Sequence, residues 1–382
     1  MNEFQRLLKA HKNIDFNSKR AAIATVVKLY GSSYRRPGAR MLMTEDGHWT
    51  GAISGGCLEG DALRKARKAI LENKPTVVTY DTINDEDARG IGVALGCNGI
   101  IDVLIEPLDK DGKSDAISML NTTQEYNDTA VIATIFRLEG NLNLKIGNRV
   151  LLLPDGTLES RIQDEQLLEQ LTEDMHDVQK SRKSLNKEYT LPLGQVEVFI
   201  EAINPSIHLY IFGGGYDAIP VSTLANHLGW YVSVADDCPA HLGPKRFPNA
   251  NEVVCIPRDA TKESVSVNNY TAAILMSHNY KYDFEVLKQL LQTDIRYIGL
   301  LGPKKRFEKM QEEMLEEGIV LKDSDFDRIH NPIGLDIGAE TPEEIALSMV
   351  AEIQAKFNNK GGKFLKDKKG FIHDRPAEQE MV

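Results

Sequence analysis

Two short segments of this chain bring together a thiol, paired guanidiniums and glycines in a way that suits an anionic ligand. Ser54-Gly-Gly-Cys57 stands between an apolar run at Trp49–Ile53 and a helical pattern opening near Leu58. Gly55 and Gly56 let backbone N–H groups converge on a ligand, and a helix N-terminus favours negative charge. A cysteine at that position is expected to carry a depressed pKa and more thiolate at neutral pH. Arg35-Arg36 supplies planar, multidentate donors for a phosphate or an oxyanion. Cys97, in Leu95-Gly-Cys-Asn-Gly99, is a second thiol in a glycine-flanked turn. Gly-Gly-Cys alone does not settle the matter. Glycines serving only tight turns would go with buried cysteines and solvated arginines.

A third segment suits a nucleotide. Gly213, Gly215 and Ala218 fit the G-x-G-x-x-A form of the dinucleotide fingerprint, directly after the apolar run His208–Phe212. In that motif the first glycine permits the turn, the second admits a pyrophosphate, and the third small residue packs helix on strand. Asp236 follows Gly215 by 21 residues, where an acid meets ribose hydroxyls. His278 ends a later apolar run and is expected to face the same crevice; its alternative role is helix capping beside Asn279 and Asp283. Lys304 and Arg306 open a helix after Gly299-Leu-Leu-Gly302, as a phosphate clamp or a solvated basic turn.

The elements that must position these residues are legible from pattern. Short apolar runs at His208–Phe212, Tyr231–Ala235, Val253–Ile256, Ala272–Met276 and Tyr297–Leu301 read as buried parallel strands. Helical stretches separate most of them, at Asp217–Leu228, Tyr282–Leu291 and Lys304–Glu317. This order predicts a Rossmann-like, doubly wound parallel sheet over residues 205–357, an α/β fold. Thr341-Pro-Glu-Glu344 reads as a capping box with no chemical role.

The preceding residues 1–204 predict an α+β domain with an internal duplication. Ile23-Ala-Thr-Val-Val-Lys-Leu-Tyr-Gly31 resembles Ile132-Ala-Thr-Ile-Phe-Arg-Leu-Glu-Gly140, an offset of 109 residues. The same offset relates Gly38–Gly47 to Gly147–Gly156. Each copy, about 20–110 and 129–204, closes on a similar strand, Asp102–Leu108 and Glu197–Ile203, now 95 residues apart. Helices are expected near 58–72 and 163–184. The arginine loop and the Gly-Gly-Cys bend occur in the first copy only, so the shared parts read as scaffold and the unshared parts as chemistry. Residues 358–382, rich in lysine and glycine, are expected to form a mobile tail.

Bulk properties narrow the field. With 382 residues the chain suits two or three domains. A net charge of −11 argues against a general nucleic-acid binder. No apolar stretch is long enough for a membrane span, and the first residues lack a signal-peptide pattern, so a cytoplasmic location is expected. Four scattered cysteines without C-x-x-C fit neither a disulfide framework nor a zinc ribbon. No dehydrogenase-like acid–base constellation accompanies the glycine fingerprint, and His278 is the one tempting candidate.

Taken in order, these segments resemble the xanthine dehydrogenase accessory family of XdhC/CoxI type. The resemblance is carried by Gly31-Ser-Ser-Tyr-Arg-Arg-Pro-Gly38, Ile53-Ser-Gly-Gly-Cys-Leu-Glu59, Gly96-Cys97, and Asp236-Asp with Arg246-Phe-Pro248. It continues with Ser277-His278 and Asp283, Tyr297–Gly302 and Pro332–Ala339. It departs from the pattern at Tyr216-Asp217 in the glycine turn and at Asn98. The resemblance implies a cytoplasmic, homodimeric, non-catalytic chaperone. Such a protein binds molybdenum cofactor of the molybdopterin type, supports its sulfuration with a cysteine desulfurase as partner, and delivers it to a xanthine dehydrogenase-type enzyme. On that view Arg35 and Arg36 hold the pterin phosphate, and Cys57 and Cys97 are candidate molybdenum ligands, a soft thiolate suiting that metal. The alternatives from other classes are an NAD(P)-dependent oxidoreductase and a nucleotide-sensing interaction protein.

Overall fold

The computed structural model describes residues 3–31, 33–81, 99–109, 115–243 and 245–369. It divides into two compact units, Glu3–Pro205 and Ser206–Lys368.

The first unit contains the duplication. After helix α1 (Glu3–Lys12) come strands β1 (Ala21–Gly31), β2 (Arg40–Thr44) and β3 (Trp49–Gly51), helix α2 (Glu59–Glu72), and strands β4 (Thr76–Asp81) and β5 (Gly99–Pro107). Helix α3 (Asp115–Thr123) leads to β6 (Ala130–Gly140), β7 (Arg149–Leu152), β8 (Leu158–Ser160), α4 (Glu165–Ser181), β9 (Leu185–Leu191) and β10 (Gly194–Ile203). Both sets form antiparallel five-stranded sheets in the same order, β3-β2-β1-β5-β4 and β8-β7-β6-β10-β9. Ile23 pairs with Leu42 in one, and Ile132 with Leu151 in the other. The strands β4 and β9 are additional to the expected pattern.

Period-2 alternation decides which residues face which layer. Ala22, Ala24 and Val26 pack with Ala62, Ala66 and Ala69 of α2. Those alanines recur at helical spacing and let helix and sheet approach closely. Ala21 and Ile23, on the opposite face, pack with Ala130, Ile132 and Leu151 of the second copy. A β-bulge interrupts each central pairing, between Val26 and Lys28 and between Glu197 and Val198. It leaves Val27 and Phe136 outside the register, and these two meet Leu104 and Phe199 in a small buried cluster. The bulge is therefore inherited by both copies and helps join them.

The second unit runs β11 (His208–Phe212), α5 (Ala218–His227), β12 (Tyr231–Asp236), β13 (Glu252–Cys255), β14 (Thr271–Leu275), α6 (Tyr280–Leu290), β15 (Tyr297–Leu300), α7 (Lys304–Glu316), β16 (Ile329–His330) and α8 (Pro342–Phe357). All pairs are parallel, in the order β13-β12-β11-β14-β15-β16. Helices α5 and α8 cover one face through Val221, Ala225, Met349 and Ile353, and α6 and α7 cover the other through Val286, Leu287, Met310 and Met314. The expected Rossmann-like sheet is present, with β16 as a sixth strand too short to stand out in sequence. Thr341 caps α8, its hydroxyl accepting from the Glu344 amide at 3.3 Å.

Candidate functional site

In the first unit the arginine loop and the Gly-Gly-Cys bend are neighbours. The exposed Tyr34 ring lies against the bend, its Cγ 3.4 Å from where a Cβ on Gly55 would point. Tyr34, Arg35, Arg36 and Pro37 line an open cavity of about 310 Å³. Cys57 is half-buried at the start of α2, and Gly55 and Gly56 are exposed. Gly56 has φ +112°, with nothing within 4 Å of its missing Cβ, so the bend leaves open space beside the thiol.

The bend is held from below by two residues that pattern alone did not single out in these roles. Ser54 Oγ accepts from the amides of Gly56 (3.2 Å), Cys57 (3.1 Å) and Leu58 (3.0 Å), and donates to Glu59 Oε2 at 2.5 Å. Glu59 Oε1 accepts from the amides of Ile53 (3.2 Å) and Ser54 (2.8 Å). Glu59 is 5% exposed. Burial would raise its pKa, but the hydrogen bonds from Ser54 and the Ile53 amide outweigh burial and hold the carboxyl below its ordinary value. This corrects one expectation: the amides after Gly55 converge on the Ser54 hydroxyl rather than on an open anion seat. Ser54 thus ties together the bend that leads into α2, with Cys57 half-buried within it.

Arg35 is engaged as well. Its Nη2 donates to both carboxylate oxygens of Glu3, at 2.6 and 2.5 Å. Arg36 is exposed on the same loop. Cys97 lies outside the described residues. Among the described residues the cysteines Cys57, Cys238 and Cys255 are free thiols, and no group of three or more His, Cys, Asp or Glu side chains could hold a metal ion.

In the second unit the glycine turn lies at the carboxyl end of β11, as expected. Gly213 has φ +127°, and a Cβ there would lie 2.5 Å from Ser277 Cα, so only glycine fits between β11 and β14. Ala218 is fully buried at the start of α5. Asp236 ends β12 but points into the protein: Oδ2 accepts from the Gly214 amide at 2.8 Å and meets His241 Nδ1 at 3.1 Å. Its Oδ1 accepts from the Cys238 amide at 2.9 Å. His278 sits beside the turn, with Nε2 2.7 Å from Asp217 Oδ2. Helix capping after β14 is done by Asn279, whose side chain accepts from the Tyr282 amide at 3.3 Å.

The expected phosphate clamp is divided. Lys304 is exposed at the start of α7. Arg306 turns back to the buried Asp283, with Nη2 to Oδ2 at 2.6 Å. Burial raises the Asp283 carboxyl, partly offset by hydrogen bonds from Ser277 and by the Arg306 charge. A separate cavity of about 760 Å³ lies among Asp237, Arg258, Tyr280, Phe284 and Lys309. No helix among the described residues is long and apolar enough to cross a membrane.

Comparison with known proteins agrees with this anatomy. Residues 209–353 match the XdhC Rossmann domain, and residues 17–81 match the XdhC and CoxI family. The chain is 28% identical over 340 residues to a probable xanthine dehydrogenase subunit from Bacillus subtilis, covering 88% of this chain and 93% of the relative. It is 21% identical over 337 residues to the molybdenum cofactor insertion chaperone PaoD of Escherichia coli, covering 88% of this chain and 83% of the relative. A crystal structure described as a xanthine dehydrogenase from Bacillus halodurans superposes with a TM-score of 0.73 at 28% identity, over 94% of this chain and 97% of that one. Both units have their counterparts in these proteins, in the same order and over nearly the whole length, and the chain belongs to the XdhC/CoxI family.

Proposed function

We propose that this protein is a cytoplasmic molybdenum-cofactor insertion chaperone for a xanthine dehydrogenase-type enzyme. The cargo is a molybdopterin-type cofactor, bound at the first unit by the Arg35-Arg36 loop and the Ser54–Cys57 bend. The observation that carries this reading is the contact of Tyr34 with Gly55, which sets the guanidinium loop beside the thiol-bearing bend at an open surface. The donor set suits the cargo: a soft thiolate for molybdenum, planar cations for the phosphate, and an exposed aromatic ring for a flat heterocycle. Kinship with a cofactor insertion chaperone supports the same assignment.

The chain's own residues would bind and orient. Ser54 and Glu59 fix the bend, Cys57 meets the metal, and Arg35 exchanges Glu3 for the cargo's phosphate. Cys97 would be a second thiol ligand, and sulfuration would draw on a cysteine-desulfurase partner before transfer to the client enzyme. Purification from a molybdate-fed host tests this. The expected result is co-purified molybdopterin, detected by fluorescence after acid oxidation, that falls at least about tenfold in Cys57→Ala while melting stays unchanged. Equal retention in parent and variant would remove the thiol from the site.

A further inference from the structure

The Rossmann crevice has a feature that its glycine fingerprint conceals. In a dinucleotide-binding turn the second glycine leaves its backbone open so that a pyrophosphate can approach the helix N-terminus. Here that space is taken. A Cβ on Gly215 would lie 2.8 Å from Asp217 Oδ1 and 3.7 Å from His278 Cδ2. Asp217 stands at the N-cap of α5, yet its side chain makes no capping hydrogen bond to the helix. Instead Oδ2 meets His278 Nε2 at 2.7 Å, and Oδ1 is shut off from solvent with no hydrogen-bond partner. His278 takes a left-handed backbone with φ +59°, which non-glycine residues rarely adopt without a local cause.

The neighbouring acid gives a second, independent sign. A dinucleotide fold needs the carboxylate after the second strand for the ribose. Asp236 is 4% exposed, and its two oxygens are engaged with the amides of Gly214 and Cys238 and with His241. The His241 carbonyl oxygen also lies 2.6 Å from where a Cβ on Gly214 would point, so that chain segment closes over the turn.

We propose that Asp217 is a built-in occupant of the phosphate seat, latched by His278, and that it makes the crevice reject dinucleotides and nucleoside phosphates. A carboxylate at the positive end of α5 already satisfies the helix dipole and repels an incoming pyrophosphate. Asp217 is thus the residue that sets the specificity of this crevice, and the glycines shape the turn without selecting a nucleotide. This role of Asp217 belongs to the second unit and is independent of cofactor binding at Cys57.

Calorimetry on the full chain tests it, with NADH, NADPH and ADP as probes. The parent is expected to show no saturable binding up to about 1 mM, and Asp217→Ala to bind at least one probe with a Kd of about 100 μM or tighter. Asp217→Asn keeps the shape and removes the charge, and is expected to gain binding too. It decides the matter should Asp217→Ala melt well below the parent. Parent binding at about 100 μM or tighter would overturn the proposal, as would a folded Asp217→Asn that gains nothing.

Discussion

Arg149 and Glu106 form a buried ion pair across the two copies of the first unit, with Arg149 Nη1 donating to Glu106 Oε1 at 2.9 Å. Arg40 and Glu201 form its mirror, at the same 2.9 Å. Arg40 and Arg149 are equivalent by the 109-residue offset, and Glu106 and Glu201 by the 95-residue one. Each copy therefore lends an arginine to the other's glutamate. Each guanidinium also donates to the carbonyl of a glycine two residues before it, Gly38 or Gly147.

These pairs are almost sealed from water, with side chains 7–11% exposed. Removing one partner strands a charge, which costs about 3–5 kcal/mol. Arg149→Met is expected to lower the unfolding free energy by that amount in urea titrations. The double variant Arg149→Met/Glu106→Leu should recover most of it, because an apolar pair of similar volume fills the site without burying charge. A loss below about 1 kcal/mol in the single variant would mean that water reaches the pair.

Glu59 should anchor the thiol bend in a pH-dependent way. Its folded pKa lies below the ordinary 4.5. The ionised carboxyl therefore contributes stability that is present above about pH 4.5 and lost as pH falls through the folded value. Glu59→Gln is expected to cost about 1.5–3 kcal/mol at pH 7, the range for hydrogen bonds to a charged group. The gap between parent and variant should narrow as the pH falls below 4.5. Unfolding curves measured across that range check both parts, and a gap independent of pH would contradict the assignment.

Arg35 is held by Glu3, so a phosphate on the cargo must compete with that carboxylate. Glu3→Gln is expected to raise molybdopterin retention by a few-fold, since it removes a charge-assisted pair at a partly exposed site. Arg35→Lys is expected to lower it, because an ammonium cannot present the planar fork. Fluorescence of the oxidised pterin, per mole of purified protein, reads both. Retention that moves in neither variant would place the phosphate elsewhere.

Gly213 should tolerate no side chain. With φ +127° and the Ser277 backbone 2.5 Å from the Cβ position, Gly213→Ala is expected to destabilise the Rossmann unit by about 2–4 kcal/mol. Loss of amide protection confined to residues 206–368 in hydrogen exchange would show it, and an unchanged protection pattern would refute it.

Much of this architecture is legible in the residues themselves. The repeat of Ile23–Gly31 at Ile132–Gly140 foretells two sheets of one topology, since apolar alternation sets which face of a strand is buried. The apolar runs ending at Phe212, Met276 and Leu301 foretell parallel strands for the same kind of reason: the strands they mark, ending at Phe212, Leu275 and Leu300, are short and buried on both faces. Strands β4 and β9 escaped because they carry polar residues on an exposed edge, and β16 because two residues make no period.

Sequence alone determined the local choices here: period, turns, helix starts, and which segments bear a thiol, a guanidinium or glycines. Only the tertiary structure decided what those groups touch. Glu201 meets Arg40 across 161 residues and His278 meets Asp217 across 61, and no local pattern encodes such encounters. They arise when folding sets strands and turns that are distant along the chain side by side. That is why Gly215 reads as an open phosphate seat along the chain and is filled by Asp217 in the fold.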